Sequence, residues 1–128
     1  MASEAALPKF THYIDGERVE PVSGRYLPTD DPFSGRTWAH VARGDAEDVK
    51  RAVESAHRAF ESGAWPEMTA TQRGHALWKL GEAVAANAGR LAEIEQRDNG
   101  KLSTEVTAQV KYMGDYFKYY AGLTDKIQ

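Results

Sequence analysis

Apolar residues recur at helical spacing through most of the chain after residue 44, and this period limits the fold more than any other feature. Asp45 has the properties of an N-cap, with Asp48 three residues later, and Gly63 follows the last periodic residue. A first helix is therefore predicted between Asp45 and Gly63. Its apolar face consists of Val49, Ala52, Val53, Ala56 and Phe60.

A second helical pattern begins after Trp65-Pro66, where Thr69 to Gln72 resembles a capping box. Asn87 and Gly89 interrupt this pattern, so we expect a bend or two helices there. The apolar positions of this pattern form one stripe: Leu77, Leu80, Val84, Ala88 and Leu91.

Asn99-Gly100 is a pair that tolerates the left-handed conformation and ends helices. We read the surrounding segment as a connector between two helices, with Ser103 or Thr104 as the cap of the next helix. The apolar positions of that last helix are Val106, Val110, Met113, Phe117 and Ala121.

The first part of the chain is strand-like, and residues 1–9 are expected to form a mobile arm. Asp15-Gly16 predicts a hairpin within Phe10–Val22. A short strand is predicted at Arg25–Leu27, then turns at Pro28, Pro32 and Gly35, and another strand at Thr37–Val41. The predicted fold class is an α+β fragment, with N-terminal β-hairpins followed by three or four helices. So little sheet is not stable without a covering layer.

Composition excludes several classes of function. The chain has 128 residues, enough for one domain at most, and no cysteine, so disulfides and thiol chemistry within it are excluded. Sixteen basic and nineteen acidic residues give a net charge of −3 without blocks of like charge, which predicts neither a nucleic-acid nor a membrane partner. The N-terminus lacks a basic segment typical of secretory signals, and we expect a cytoplasmic protein.

Common cofactor motifs do not match either. The four histidines have no zinc-ligand spacing, and the segment ending at Gly100-Lys101 has Glu95 and Leu102 where a phosphate loop needs glycine and Ser or Thr. No Gly-x-Gly-x-x-Gly follows a predicted strand, so no dinucleotide fingerprint is present.

Several ordered segments resemble the beginning of the NAD(P)-dependent aldehyde dehydrogenase superfamily. The segments are Tyr13–Gly35, Gly44–Phe60, Arg73–Leu80, the Glu-x-x-Asp-Asn-Gly-Lys signature at Glu95–Lys101, and Phe117–Ile127. This resemblance runs from about residue 10 to the last residue. It implies that residues 10–128 are part of the family's Rossmann-like α/β cofactor-binding domain, truncated before the dinucleotide site.

The resemblance also implies an activity, the oxidation of a small-molecule aldehyde to a carboxylic acid with NAD or NADP. The family uses a cysteine nucleophile, a glutamate base and a dinucleotide site that lie beyond the matched segments. No catalytic or cofactor-binding residue can therefore be assigned here, and the chain alone is expected to be inactive and to bind no cofactor. A complete enzyme is expected to be a homo-oligomer. The alternative is a truncated, non-catalytic relative that acts as an interaction or structural module.

Two groups of site residues follow from the resemblance. Asp98 and the carbonyl groups of Thr29 and Asp30 are candidates for a structural monovalent cation, which hard oxygen ligands suit. The alternative is that Asp98 only hydrogen-bonds the turn that follows it. Asp30-Asp31 departs from the family's usual pattern of an apolar residue followed by Asn.

Tyr112, Met113 and Tyr116 lie near the positions that line the family's aldehyde tunnel. The alternative for this helix is that its apolar stripe is simply core. On that interpretation Val106, Val110, Met113 and Phe117 are buried, while Tyr112 and Tyr116 remain open to either role.

Overall fold

A computed structural model describes residues 6–126, which form two compact units that divide between Gly63 and Ala64. The first unit contains β1 (Lys9–Phe10), β2 (His12–Ile14), β3 (Glu17–Val19), β4 (Tyr26–Asp31), β5 (Arg36–Ala42) and α1 (Ala46–Ser62). Residues 1–5 of the predicted arm lie outside the described residues, and Lys9 belongs to β1.

The predicted hairpin is confirmed as β2 and β3, which pair antiparallel. Its turn residues Asp15 and Gly16 have φ angles of 58° and 79°. Two consecutive left-handed residues are the conformation that a two-residue hairpin loop requires, and Asp-Gly is a preferred pair for it.

The remaining strands form a three-stranded sheet in the order β1-β5-β4. The second predicted hairpin is confirmed, because β4 and β5 pair antiparallel, while the parallel pairing of β1 with β5 was not predicted. The prediction of a turn at Pro28 was wrong, since Pro28 lies within β4 opposite His40. The His40 N–H donates to Pro8 on the other side, so the missing N–H of Pro28 removes no bond between β4 and β5.

Helix α1 begins and ends as predicted, at the capping box of Asp45 with Asp48 and at Gly63. The buried residues of this helix are nevertheless polar, Asp48 and Ser55. The predicted apolar face is largely open to solvent in this unit: Val49, Val53 and Phe60 are all exposed, Phe60 at 80%.

The second unit contains α2 (Ala64–Glu67), α3 (Ala70–Ala86), α4 (Ala88–Asn99) and α5 (Ser103–Ala121). The predicted capping box at Thr69 is confirmed, and the predicted interruption separates α3 from α4 at Asn87. Four long helices and the single turn of α2 therefore agree with the predicted fold class. Within residues 6–126, none of the helices is both long and apolar enough to span a bilayer.

The core of the second unit lies between α4 and α5. Its buried residues are Ala88, Ala92, Val106 and Val110, with Val84 and Leu91 packed against them. Small side chains on α4 allow close contact, and Val106 and Val110 fill the space between the helices.

Two predictions for α5 were wrong. The N-cap is Leu102, which makes no side-chain capping bond, rather than Ser103 or Thr104. Met113 is 44% exposed and not core, because the buried position on that part of the helix is Gly114, which faces α3. Phe117 is half-buried.

Candidate functional site

Tyrosines form a continuous aromatic cluster along α5. The ring centroids of Tyr112 and Tyr116 are 6.2 Å apart, those of Tyr116 and Tyr120 are 4.7 Å apart, and those of Tyr119 and Tyr120 are 5.3 Å apart. A spacing of four residues places Tyr112, Tyr116 and Tyr120 next to each other on the helix, and Tyr119 joins them as the chain neighbour of Tyr120. We call these four residues the tyrosine cluster.

The cluster borders a surface depression of about 300 Å³ that is lined by Tyr112, Asp115, Tyr116 and Tyr119. Three ring faces and one carboxylate make the lining mostly apolar, with a polar edge. Such a surface suits contact with an apolar or aromatic group. The predicted tunnel residues Tyr112 and Tyr116 take part in this depression, whereas Met113, also exposed, is not among its lining residues.

A hydrogen bond joins two tyrosines at the C-terminal end of the cluster. The hydroxyl groups of Tyr116 and Tyr120 are hydrogen-bonded to each other, with 3.2 Å between their oxygen atoms. This bond, followed by repulsion from Tyr116 and partial burial, raises the pKa of Tyr120 above its ordinary value of 10.0. A raised pKa favours the neutral form of the Tyr120 hydroxyl.

The signature segment at the end of α4 forms the predicted connector. Gly100 has a φ of 74° and ends α4, and the Asn99 side chain accepts a hydrogen bond from the Lys101 N–H at 3.0 Å. The Lys101 ammonium group donates to the Glu95 carboxylate and, at 3.3 Å, to Gln109 on α5. The bond from Lys101 lowers the pKa of Glu95 below its ordinary value. This network ties α4 to α5 and fixes the direction in which α5 leaves the turn.

The candidate cation ligands are distributed over both units. Thr29 and Asp30 lie in β4 at an irregularity of the pairing, where Thr29 is opposite Ala39 and Asp30 is opposite Thr37. The Thr37 hydroxyl donates to the Asp30 carboxylate at 2.6 Å. Asp98 lies in the last turn of α4, in the other unit. The oxygen donors suit a hard cation, and the cation site stays a prediction.

Metal and dinucleotide chemistry find little support in the residues that the structure describes. Between residues 6 and 126, no three His, Cys, Asp or Glu side chains come together to hold a metal ion. The glycines with positive φ lie in strand turns or, for Gly100, at a helix end. β5, which pairs in parallel with β1, leads into α1 through residues 43–45, and this turn lacks the Gly-x-Gly-x-x-Gly spacing of a phosphate-binding turn.

Asp48 has a role that sequence reasoning missed. Its carboxylate is 3% exposed and accepts from the Asp45 N–H at 3.1 Å and from the Val22 N–H at 3.1 Å. His12 lies nearby, with Nε2 3.7 Å from the carboxylate. Burial by itself would raise the pKa of Asp48, but these two N–H groups, His12 and Arg51 outweigh it and lower the pKa below 3.8. The sequence indicated the bond to Asp45, while nothing local indicated the bond to Val22, which is 26 residues away.

Comparison with known proteins identifies the family. The sequence profile of the aldehyde dehydrogenase family matches residues 19–128. The chain is 44% identical over 115 residues to aldehyde dehydrogenase family 2 member B4, mitochondrial, from Arabidopsis thaliana, a match that covers 89% of this chain and 21% of that protein. It is 38% identical over 122 residues to (Z)-2-((N-methylformamido)methylene)-5-hydroxybutyrolactone dehydrogenase from Acinetobacter baylyi, covering 95% of this chain and 25% of that one.

Solved structures agree with the sequence matches. The NAD-dependent aldehyde dehydrogenase from Sinorhizobium meliloti superposes with a TM-score of 0.90 at 26% identity, covering 96% of this chain and 25% of that chain. The NAD+ complex of aldehyde dehydrogenase from Bacillus cereus gives 0.88 at 34% identity, covering 94% and 25%. The chain thus spans about a quarter of the length of the relatives it matches, and it belongs to the aldehyde dehydrogenase family.

Proposed function

We propose that this chain is the N-terminal part of an enzyme that oxidises an aldehyde to a carboxylic acid with NAD+ or NADP+. The observation that supports the proposal is the match of residues 19–128 to the family, together with coverage of only about a quarter of each relative. The chain has no cysteine, so the thiol nucleophile that the family uses would come from the remainder of the polypeptide.

The contribution of this chain would be scaffold and substrate contact. Tyr112 and Tyr116 border an apolar depression on α5, and Met113 is exposed beside them. In the proposed enzyme these three residues contact the aldehyde on its way to the nucleophile. Relatives at 43%, 34% and 35% identity are named for benzaldehyde, betaine aldehyde and acetaldehyde, so the aldehyde that this chain serves is a property to be measured.

Thr29, Asp30 and Asp98 would hold a structural monovalent cation in the complete enzyme. The cation proposal is tested by comparing the thermal stability of the long polypeptide in potassium, sodium and tetramethylammonium salts. Asp98→Asn is expected to remove the difference between the salts, and Asp115→Asn, an exposed carboxylate outside the proposed ligand set, is the control. An equal salt effect in Asp98→Asn and the parent protein contradicts the cation site.

The proposed activity is tested with the longest natural polypeptide that contains these residues. Formation of reduced nicotinamide is followed with a panel of aldehydes and with each dinucleotide, and the 128-residue chain is the control. We expect turnover by the long polypeptide only. Absence of aldehyde-dependent turnover in the long polypeptide contradicts the proposal and favours the non-catalytic relative.

A further inference from the structure

Helix α5 approaches α3 most closely where two glycines face each other. A Cβ atom on Gly81 would lie 2.6 Å from the carbonyl oxygen of Gly114, and a Cβ atom on Gly114 would lie 3.0 Å from the carbonyl oxygen of Gly81. Backbone atoms cannot accept such distances without moving, so the absence of both side chains sets the spacing of the two helices.

The tyrosine cluster lies on the side of α5 that faces away from this contact. Tyr112 and Tyr116 each lie two residues from Gly114, which places them about 160° around the helix from it. Gly114 is buried, while Tyr112 and Tyr116 are exposed and line the depression of about 300 Å³. All four residues that line the depression belong to α5, so a displacement of α5 away from α3 carries both rings and the depression outward together.

We infer that Gly81 and Gly114 are positioning residues that set how far the tyrosine cluster reaches toward the aldehyde, and thus the size of aldehyde accepted. The inference rests on the proposed function of the cluster. The two glycines touch no substrate and act only through the position of α5. Discrimination between large and small substrates is sensitive to such displacements, because a pocket that is smaller by one methylene group changes relative rates by about 10- to 200-fold.

Gly114→Ala in the long, active polypeptide is the test. The added methyl meets Gly81 at 3.0 Å and the Ala85 methyl at 3.2 Å, a contact that requires a small helix shift, and alanine favours the helix. Gly89→Ala is the matched control, because nothing lies within 4 Å of its added methyl and its φ is not positive. The measurement is the ratio of kcat/KM for an aromatic aldehyde to that for a two-carbon aldehyde.

We expect Gly114→Ala to lower this ratio about tenfold, through a raised KM for the aromatic aldehyde with kcat for the small aldehyde retained. Gly89→Ala is expected to leave the ratio unchanged. The double variant Gly114→Ala with Ala85→Gly removes one of the two close contacts and should restore part of the ratio. If Gly114→Ala alone does not melt cooperatively, the ratio is measured in the double variant instead.

An unchanged ratio in folded Gly114→Ala, or an equal loss of kcat for both aldehydes, overturns the inference. The same shift in Gly89→Ala would overturn it as well, since that residue lies outside the contact. These outcomes differ from failure of the proposed function, in which the parent polypeptide itself oxidises neither aldehyde.

Discussion

Helices α1 and α5 have similar apolar spacing in sequence, but different kinds of contact hold them in place. Both carry apolar residues at helical spacing, yet α1 buries Asp48 and Ser55 while α5 buries Val106, Val110, Gly114 and Ala121. Hydrogen bonds of Asp48 with the Val22 N–H and of Ser55 with the Asp15 carboxylate anchor α1 in the first unit, and close packing against α3 and α4 anchors α5 in the second. An apolar stripe therefore predicts a helix, but the neighbours available to that helix decide which face is buried.

The apolar face of α1, called its stripe below, is open to solvent. Val49, Val53 and Phe60 are at least 60% exposed, and they lie on one face of the helix. An apolar face of this kind usually marks a surface that another part of a protein covers. We therefore expect the isolated 128-residue chain to be marginally stable or to self-associate.

The largest expected effect comes from a side chain at the glycine contact. Gly81→Val places a branched side chain where even a Cβ lies 2.6 Å from a backbone oxygen, and overpacking of this kind costs about 3 kcal/mol of unfolding free energy. Gly89→Val, at an open position, should stay within about 0.5 kcal/mol. Denaturant unfolding measures both, and an equal cost in the two variants would show that close packing does not hold α5.

The second effect tests the polar anchor of α1. The two carboxylate oxygens of Asp48 accept hydrogen bonds from the Val22 and Asp45 N–H groups. In Asp48→Asn, an amide NH2 group, which is a donor, takes the place of one of these oxygens. We expect a loss of several degrees in melting temperature at neutral pH and faster amide exchange in α1. The matched control is Glu47→Gln, an exposed carboxylate in the same helical turn. Equal melting temperatures of Asp48→Asn and the parent chain would contradict the polar anchor.

The same variant predicts a pH dependence. The pKa of Asp48 is lowered in the folded state, so its stabilisation is complete above the unfolded value near 3.8 and is lost as the pH falls through the folded value. The difference in α1 amide exchange between Asp48→Asn and the parent chain should therefore disappear in acid. Glu95 in the second unit also has a lowered pKa, so a melting curve of the whole chain would respond to both carboxylates. Amide exchange in α1 reports the contribution of Asp48 more specifically. A difference that persists at the lowest pH would contradict the assignment.

A smaller, stabilising effect is expected at the start of α5. Leu102 is 66% exposed and caps the helix without a side-chain bond. Leu102→Ser would place a hydroxyl three residues before Glu105 and complete a capping box, which is worth about 1 kcal/mol. Leu7→Ser, at another exposed leucine, should have no such effect on thermal unfolding. A capped variant no more stable than the parent chain would mean that the turn before α5 cannot adopt the capping geometry.

The smallest effect on stability is expected on the exposed stripe of α1. Phe60→Glu should change the free energy of unfolding by less than about 0.5 kcal/mol, yet reduce self-association of the 128-residue chain. Phe33→Glu changes a phenylalanine that is 96% exposed and lies outside the stripe. Sedimentation over a range of concentrations distinguishes them, and an equal effect of both variants would contradict a role of the stripe.

Local signals in the sequence predicted the local structure well. The capping boxes at Asp45 and Thr69, the turn at Asp15-Gly16 and the helix end at Gly100 each depend on residues within a few positions of one another. Side chains of this kind fix the backbone wherever the rest of the chain lies, so they can be recognised without tertiary information.

Contacts between residues far apart in the sequence were harder to predict from the sequence. The acceptor role of Asp48 for Val22 depends on a contact 26 residues away, and Met113 is exposed because Gly114 takes the buried position against Gly81. Periodicity alone cannot distinguish such neighbours, since both lie close to the same helical face. The tyrosine cluster was visible as spacing, whereas the depression beside it required the structure.

The intact mass of the natural protein, with the transcript read past the codon for Gln128, tests the central claim most directly. The claim is that this chain supplies scaffold and substrate contact while the reactive groups come from elsewhere in the same polypeptide. It predicts a polypeptide about four times as long, as in the relatives, with a cysteine beyond residue 128. A natural protein whose mass is that of these 128 residues alone would contradict it and leave a family member without the family's chemistry.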